Sequence, residues 1–110
     1  MINSGEKILK QNGHSLESIG VSGFGLDKHF ALELIKILRA ENIAILGGDV
    51  YRINANQIEP TYDNWFLDKA DGMDDSIYIE KSLEKAGMFI QNYNDPENGT
   101  ILYKLEIRGC

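Results

Sequence analysis

The chain has 110 residues, of which 43% are hydrophobic and 25% are charged, and its formal net charge is −6. This length and composition are typical of a single soluble globular domain, which we predict to span residues 1–110. No apolar run reaches the ~18 residues of a transmembrane helix, and the first residues lack the apolar segment of a signal peptide. The single cysteine, Cys110, leaves no disulfide within the chain. We therefore expect a cytoplasmic protein.

The excess of acidic side chains lies in the middle of the chain. Residues 1–53 hold six acidic and six basic side chains, residues 54–99 hold ten and three, and residues 100–110 hold one and two. Nucleic acids and anionic membranes attract basic surfaces, so this distribution argues against both as partners. A basic protein partner is the natural complement, and a solvated surface that aids solubility is the alternative.

Two short elements are predicted before the first long helix. Residues 4–12 have the pattern of a short helix, and residues 15–20 that of a further helical turn. Residues 21–26 contain two glycines and are predicted to form a loop.

The clearest helix is predicted over residues 27–41. Asp27 is a suitable N-cap, and the apolar side chains recur at helical spacing on one stripe: Ala31, Leu34, Ile35 and Leu38. Three short strands are expected after it: a buried strand over residues 43–46, and a hairpin of residues 50–53 and 57–59 with a tight turn at 54–56. Gly47 and Gly48 break the first strand from the second, which we attribute to a bulge or a close backbone approach. Pro60 ends the third strand or marks it as an edge strand.

A second long helix and a last strand complete the predicted fold. The helix covers residues 76–92, and its stripe consists of Ile79, Leu83, Ala86, Ile90 and Tyr93. The strand is half-exposed, with one face formed by Ile101, Tyr103, Leu105 and Ile107. The pattern predicts an α+β domain in which helices pack on one face of a small, mainly antiparallel sheet.

The sequence lacks the motifs of metal, nucleotide and nucleophilic sites. His14 and His29 are 15 residues apart and lie in different predicted elements, which argues against zinc. The acidic segment 68–75 fails the calcium-loop pattern, because Gly72 as the loop glycine would make Leu67 the first ligand. No phosphate-binding loop and no serine or cysteine nucleophile motif is present. We therefore expect no cofactor and no metal.

A dense group of acidic and aromatic residues in and after the segment 46–65 is the strongest functional signal. Aromatic residues dominate binding hot spots, and carboxylates suit a basic partner. Trp65 and Tyr62 have a simpler alternative, which is to cover the sheet as core residues. The candidate partner-binding residues are Asp49, Tyr51, Glu59, Tyr62, Asp63, Trp65, Asp68, Asp71, Asp74 and Asp75.

The order of motifs resembles the immunity protein 40 family of bacterial polymorphic toxin systems. The resemblance rests on "ALELIKILRAENIAILGGDVY" at 31–51, followed by "IEPTYDNW" at 58–65. The segments "SLESIGV" at 15–21 and "SIYIEKSLEKAGMFI" at 76–90 are also similar, so the resemblance covers roughly residues 15–107. It implies a small cytoplasmic protein, without enzymatic activity, that neutralises a cognate toxin domain by tight binding.

Three hypotheses follow from these observations. The first is a toxin inhibitor whose acidic face, centred on residues 47–75, occludes a basic active site. The second is a small enzyme or ligand-binding domain that uses Asp49, Glu59 and Asp63, and the third is a homo-oligomer formed through an exposed edge strand. A closed pocket with converging carboxylates would favour the second hypothesis, and an open acidic patch would favour the first.

Overall fold

The computed structural model describes residues 4–109, so Cys110 lies outside the described part of the chain. The elements in chain order are α1 Ser4–Asn12, β1 His14–Ser15, a 3₁₀ turn Glu17–Ile19, β2 Phe24–Gly25, α2 Lys28–Ala40, β3 Ile45–Asn54, β4 Gln57–Phe66, α3 Asp75–Asn92 and β5 Thr100–Ile107. The predicted α+β class is confirmed. No helix within residues 4–109 is long and apolar enough to cross a membrane.

The main sheet has three antiparallel strands in the order β4-β3-β5. The outer side of β5 is joined by Leu26, which exchanges two backbone hydrogen bonds of 2.9 and 2.7 Å with Tyr103. Strand β4 has β3 as its single strand neighbour among the described residues, so it is an edge strand. The short strands β1 and β2 pair antiparallel in a separate sheet.

Helices α2 and α3 pack on one face of the main sheet, as predicted, and form the larger core. Helix α2 begins where Asp27 accepts a hydrogen bond of 3.0 Å from the backbone N–H of Phe30, so the predicted N-cap is confirmed. Both predicted helical stripes contribute buried side chains to this core: Ala31, Leu34, Ile35, Leu38, Leu83, Ala86 and Ile90. The helical layer therefore holds most of the apolar burial.

The opposite face of the sheet is covered over part of its area by the segment between α1 and α2. Leu16 from this segment packs with Tyr51 of β3 and Leu102 of β5 in a second, smaller buried cluster. The predicted loop 21–26 contains strand β2, which sequence periodicity missed because it is two residues long. The remainder of this face is open to solvent and carries the candidate functional site.

The predicted break at Gly47 and Gly48 is wrong, because β3 runs through both glycines as one strand. A Cβ atom at Gly48 would collide with the indole ring of Trp65, and one at Gly47 would collide with the backbone of β4. The register of β3 against β5 also shifts between Ile45 and Gly47. The glycines therefore serve a close packing contact and a bulge, as their predicted role states, and do not end the strand.

The predicted hairpin is confirmed at its turn and is longer than expected on its return side. Ala55 and Asn56 both have positive φ angles, of 51° and 66°, as a tight two-residue hairpin turn requires. Strand β4 continues past Pro60 to Phe66. Pro60 is tolerated because β4 is an edge strand, so the missing N–H leaves no neighbouring strand unpaired.

Candidate functional site

The two large aromatic residues of the predicted site, Trp65 and Tyr62, lie in opposite environments. Trp65 is 6% exposed, covers Gly48, and stacks on Phe89 of α3 with the ring centroids 4.6 Å apart. Tyr62 is 85% exposed. Tyr51 is 7% exposed and belongs to the smaller core cluster. Trp65 and Tyr51 therefore support the sheet from within, and Tyr62 is the aromatic candidate that reaches solvent.

The exposure of Tyr62 results from a bulge in β4. The step from Asp49 to Tyr51 in β3 is matched by the longer step from Pro60 to Asn64 in β4. Strand β4 therefore holds extra residues at this point, and one of them, Tyr62, has a positive φ angle of 69°. A bulge in an edge strand re-aims side chains away from the regular alternation.

The open part of the sheet carries exposed apolar and acidic side chains side by side. We call it the outer face and define it by Leu46, Asp49, Tyr62, Phe66, Asp68 and Glu106. Phe66 is 63% exposed and Leu46 41%, and both line one groove together with Asp49 and Asp68. Two shallow grooves that share Asp49 and Asn64 cross this surface. The arrangement is an open acidic and aromatic patch.

Two lysines lie at the border of the outer face and are engaged within the chain. Lys104 forms an ion pair of 2.6 Å with Glu106. Lys85 of α3 donates to the backbone carbonyl of Phe66 at 2.7 Å and lies 5.9 Å from the centroid of its ring. The carboxylate of Asp49 has no ion pair within residues 4–109.

The three carboxylates considered for acid–base chemistry each have a different environment. Glu59 forms an ion pair of 3.4 Å with Nε of Arg52. Asp63 accepts a hydrogen bond of 2.6 Å from the hydroxyl of Tyr93, at the end of α3. Asp49 borders the open grooves of the outer face. Within residues 4–109, no group of three or more His, Cys, Asp or Glu side chains is placed to hold a metal ion.

Burial raises the pKa of the two tyrosines next to these carboxylates, Tyr51 and Tyr93. Desolvation raises the pKa of Tyr51, and the negative charge of Asp49 raises it further. Desolvation also raises the pKa of Tyr93, and its hydrogen bond to Asp63 acts in the same direction. Both phenols therefore stay protonated at neutral pH and act as hydrogen-bonding groups.

The four aspartates of the segment 68–75 fall into two pairs with different roles. Asp74 is the N-cap of α3 and accepts from the hydroxyl of Ser76 at 2.7 Å and from its N–H at 2.8 Å, which lowers the pKa of Asp74. Asp75 accepts from Lys69 at 3.2 Å and Arg108 at 2.9 Å, and these bonds lower the pKa of Asp75.

The other pair, Asp68 and Asp71, is exposed and has no hydrogen bond from another side chain and no ion pair between residues 4 and 109. Two aspartates of the acidic segment thus have structural roles: Asp74 begins α3, and Asp75 binds Arg108, which directly follows β5. Two of the segment's four carboxylates remain available to a partner.

Three residues of the outer face are missing from the candidates that the sequence predicts: Leu46, Phe66 and Glu106. Leu46 ends an apolar run that was predicted to be buried. Phe66 follows Trp65 directly, and in a regular strand two successive side chains point to opposite faces. Period-two alternation along β4 would have assigned Phe66 to the exposed side once Trp65 was placed in the core.

Comparisons with known proteins connect this architecture to one family. The family model described as Immunity protein 40 matches residues 15–107. No curated protein and no solved structure matches the chain significantly. The matched range contains the main sheet, helices α2 and α3 and the whole outer face, and it leaves out α1.

Proposed function

The chain belongs to the immunity protein 40 family, and we propose that it binds a cognate bacterial toxin domain and neutralises it with its outer face. The observation that carries this proposal is the family match, because it covers every element that builds the outer face. In this role the protein is a cytoplasmic inhibitor without enzymatic activity, and its partner is the toxin domain of a polymorphic toxin system.

The charge of the outer face supports a basic surface on the toxin domain. Residues 54–99 hold ten acidic and three basic side chains. Within them, Asp68 is exposed and lines a groove with Phe66 and with Asp49 of β3, and Asp71 is exposed three residues further along the chain. A toxin that acts on phosphate-containing substrates needs a basic cleft, and an acidic inhibitor can occupy such a cleft in place of the substrate.

The exposure of each candidate side chain indicates its role in the proposed interface. Exposed aromatic and apolar side chains, above all Tyr62 and Phe66, would supply the contact energy. Exposed carboxylates that form no ion pair within the chain would attract the basic toxin domain and speed its association. The remaining candidates act indirectly, because they are buried or already paired within the chain: Tyr51, Trp65, Glu59, Asp74 and Asp75.

The two alternatives have less support. A small enzyme or ligand-binding domain would need Asp49, Glu59 and Asp63 to converge, and each of these carboxylates has separate neighbours on an open surface. A homo-oligomer formed by antiparallel pairing of two β4 strands would bring Glu59 and Asp63 of both copies into one interface. Like charges brought together across a strand pair are destabilising.

Co-expression with the toxin domain encoded beside the gene tests the proposal. Cells that make the toxin domain should survive when they also make this protein, and the purified pair should form a complex whose association slows as salt is raised. If the protein gives no protection and no complex forms, the chain does not neutralise that toxin.

A charge-reversed double variant and a matched control test whether the toxin domain binds at the outer face. The double variant Asp68→Lys/Asp71→Lys should lower the association rate about tenfold or more, because it reverses the charge of Asp68 on the outer face and of the exposed Asp71 that follows it in the chain. The matched control Glu41→Lys/Glu84→Lys makes the same change in net charge at exposed sites after α2 and on α3. Equal association rates for the two double variants would show that net charge alone acts and that the outer face has no special part.

A further inference from the structure

Tyr62 combines two features that neither the core nor the backbone explains. Its side chain is 85% exposed, so it contributes little to burial, whereas the next most exposed large apolar side chain, Phe66, is 63% exposed. Its φ angle is 69°, in the left-handed region that bulky residues rarely adopt. Glycine or asparagine would suit this backbone better, and either would expose less apolar surface. A tyrosine at this position therefore needs a reason outside the folding of the chain.

The bulge that holds Tyr62 is fixed on both sides by hydrogen bonds. The hydroxyl of Thr61 donates to the carbonyl of Val50 at 3.0 Å and accepts from the N–H of Asp63 at 3.2 Å. The side chain of Asp63 accepts in turn from the hydroxyl of Tyr93 at 2.6 Å, which ties the bulge to the end of α3. The exposed ring is thus presented on a pre-organised backbone, which reduces the entropy lost on binding.

We propose that Tyr62 is the anchor of the interface and that its ring stacks on an arginine side chain of the toxin domain, an inference that rests on the proposed function. A groove of about 270 Å³ beside the ring is lined by Tyr51, Pro60, Asp49 and Asp63. An aromatic wall next to carboxylates is the environment that suits a guanidinium, which stacks on rings and bonds carboxylates through its planar fork.

The carboxylates that line this groove form no ion pairs within the described chain, so they are open to a cation of a partner. Within residues 4–109, no lysine or arginine forms an ion pair with Asp49 or Asp63. Lys104 pairs with Asp49 in register on β5, and its ammonium group forms an ion pair with Glu106. The groove therefore keeps two carboxylates without an ion pair next to an exposed ring.

Substitution of Tyr62 separates its role in binding from any role in folding. Tyr62→Asn removes the ring and keeps a residue that tolerates a positive φ angle, so the unfolding midpoint should stay equal or rise. The Kd for the purified toxin domain should rise at least tenfold, equivalent to ~1.4 kcal/mol. Tyr62→Phe keeps the ring, so its Kd should stay within about threefold of the unchanged protein.

Ala55→Gly is the matched control for backbone strain. Ala55 also has a positive φ angle, of 51°, and lies at the hairpin turn outside the groove. The variant should keep the Kd of the unchanged protein. If Tyr62→Asn binds as tightly as the unchanged protein, or lowers the unfolding midpoint, Tyr62 is not an anchor. If the unchanged protein itself fails to bind the toxin domain, the proposed function falls, and the anchor falls with it.

A double-mutant cycle tests the arginine. Each exposed arginine and lysine of the toxin domain is replaced by alanine and measured against both the unchanged protein and Tyr62→Asn. One arginine substitution should weaken binding to the unchanged protein about tenfold and have little further effect on Tyr62→Asn, because the pair acts as a unit. Additive effects at every arginine would overturn the stacking contact, as would coupling found for a lysine alone.

Discussion

The two faces of the main sheet are built from the same strands and serve different purposes. On the helical face, Trp65 fills the space above Gly48 and stacks on Phe89 of α3, so this face is closely packed. On the outer face, Tyr62 and Phe66 of the same strand are mostly exposed. Strand β4 therefore buries Trp65 on one side and leaves Tyr62 and Phe66 exposed on the other.

This difference means that stability and recognition can be altered separately in one ten-residue strand. Substitutions on the helical face should change the free energy of unfolding, and any effect on binding should follow from loss of the fold. Substitutions on the outer face should change binding and leave unfolding nearly as it was. Neighbouring residues of β4 are therefore matched pairs for experiments.

The largest expected effect is on the pair Trp65 and Phe66. Trp65→Ala should lower the free energy of unfolding by ~3–5 kcal/mol, because it empties a closely packed site in the core. Phe66→Ala should lower it by less than ~1 kcal/mol, because the ring is mostly exposed. Urea unfolding of the two variants measures both values. Similar losses for the two would mean that the faces are not distinct.

A smaller effect is expected at Gly48, the position that makes room for Trp65. Gly48→Ala should destabilise the fold by ~1–3 kcal/mol, because its Cβ would enter the space of the indole ring. In a Trp65→Leu background the same change should cost clearly less, since the smaller side chain leaves space. A cost at Gly48 that is the same in both backgrounds would show that the glycine is required for its backbone alone.

These contacts also explain which parts of the fold the sequence could predict. Helices α2 and α3 were predicted within one residue of their observed ends, because their apolar stripes, and the N-cap Asp27 of α2, are local signals. The family resemblance, which rests on contiguous motifs, was confirmed over residues 15–107. The continuity of β3 was not predicted, because a Gly-Gly pair is normally a break. Its reason here is a contact with Trp65, which lies 17 positions further along the chain.

The sequence predicted which segment holds the candidate site, but it did not predict which side chains of that segment are exposed. Composition alone identified residues 47–75, but it could not separate Trp65 from Tyr62, since both are aromatic residues in one short segment. The separation depends on the bulge at residues 61–63, and this bulge is made by Thr61 bonding to a different strand. The structural roles of Asp74 and Asp75 likewise depend on partners at Ser76, Lys69 and Arg108.

The smallest effect at neutral pH is expected at Tyr103, on the helical face. Its hydroxyl is buried and has no hydrogen-bond partner within residues 4–109, so Tyr103→Phe should change the free energy of unfolding by less than ~1 kcal/mol. Burial raises the pKa of Tyr103 above its ordinary value of 10.0. The unfolded chain therefore loses this proton first, and stability should fall as the pH rises above 10.

The variant should flatten this alkaline loss, which unfolding measurements between neutral pH and pH ~11 would detect. Tyr93, whose pKa is also raised by burial, should keep part of the dependence in the variant. An unchanged alkaline slope in Tyr103→Phe would mean that the hydroxyl of Tyr103 is not buried in the folded protein.

The most direct test of the outer face is amide hydrogen exchange of the protein with and without the toxin domain. Binding at the outer face should slow exchange in peptides that cover residues 62–68, because the outer edge of β4 has no partner strand among residues 4–109 of the free protein. Exchange in peptides of α2, residues 28–40, should stay nearly unchanged. Protection confined to α2 and the exposed side of α3, with none along β4, would contradict the account.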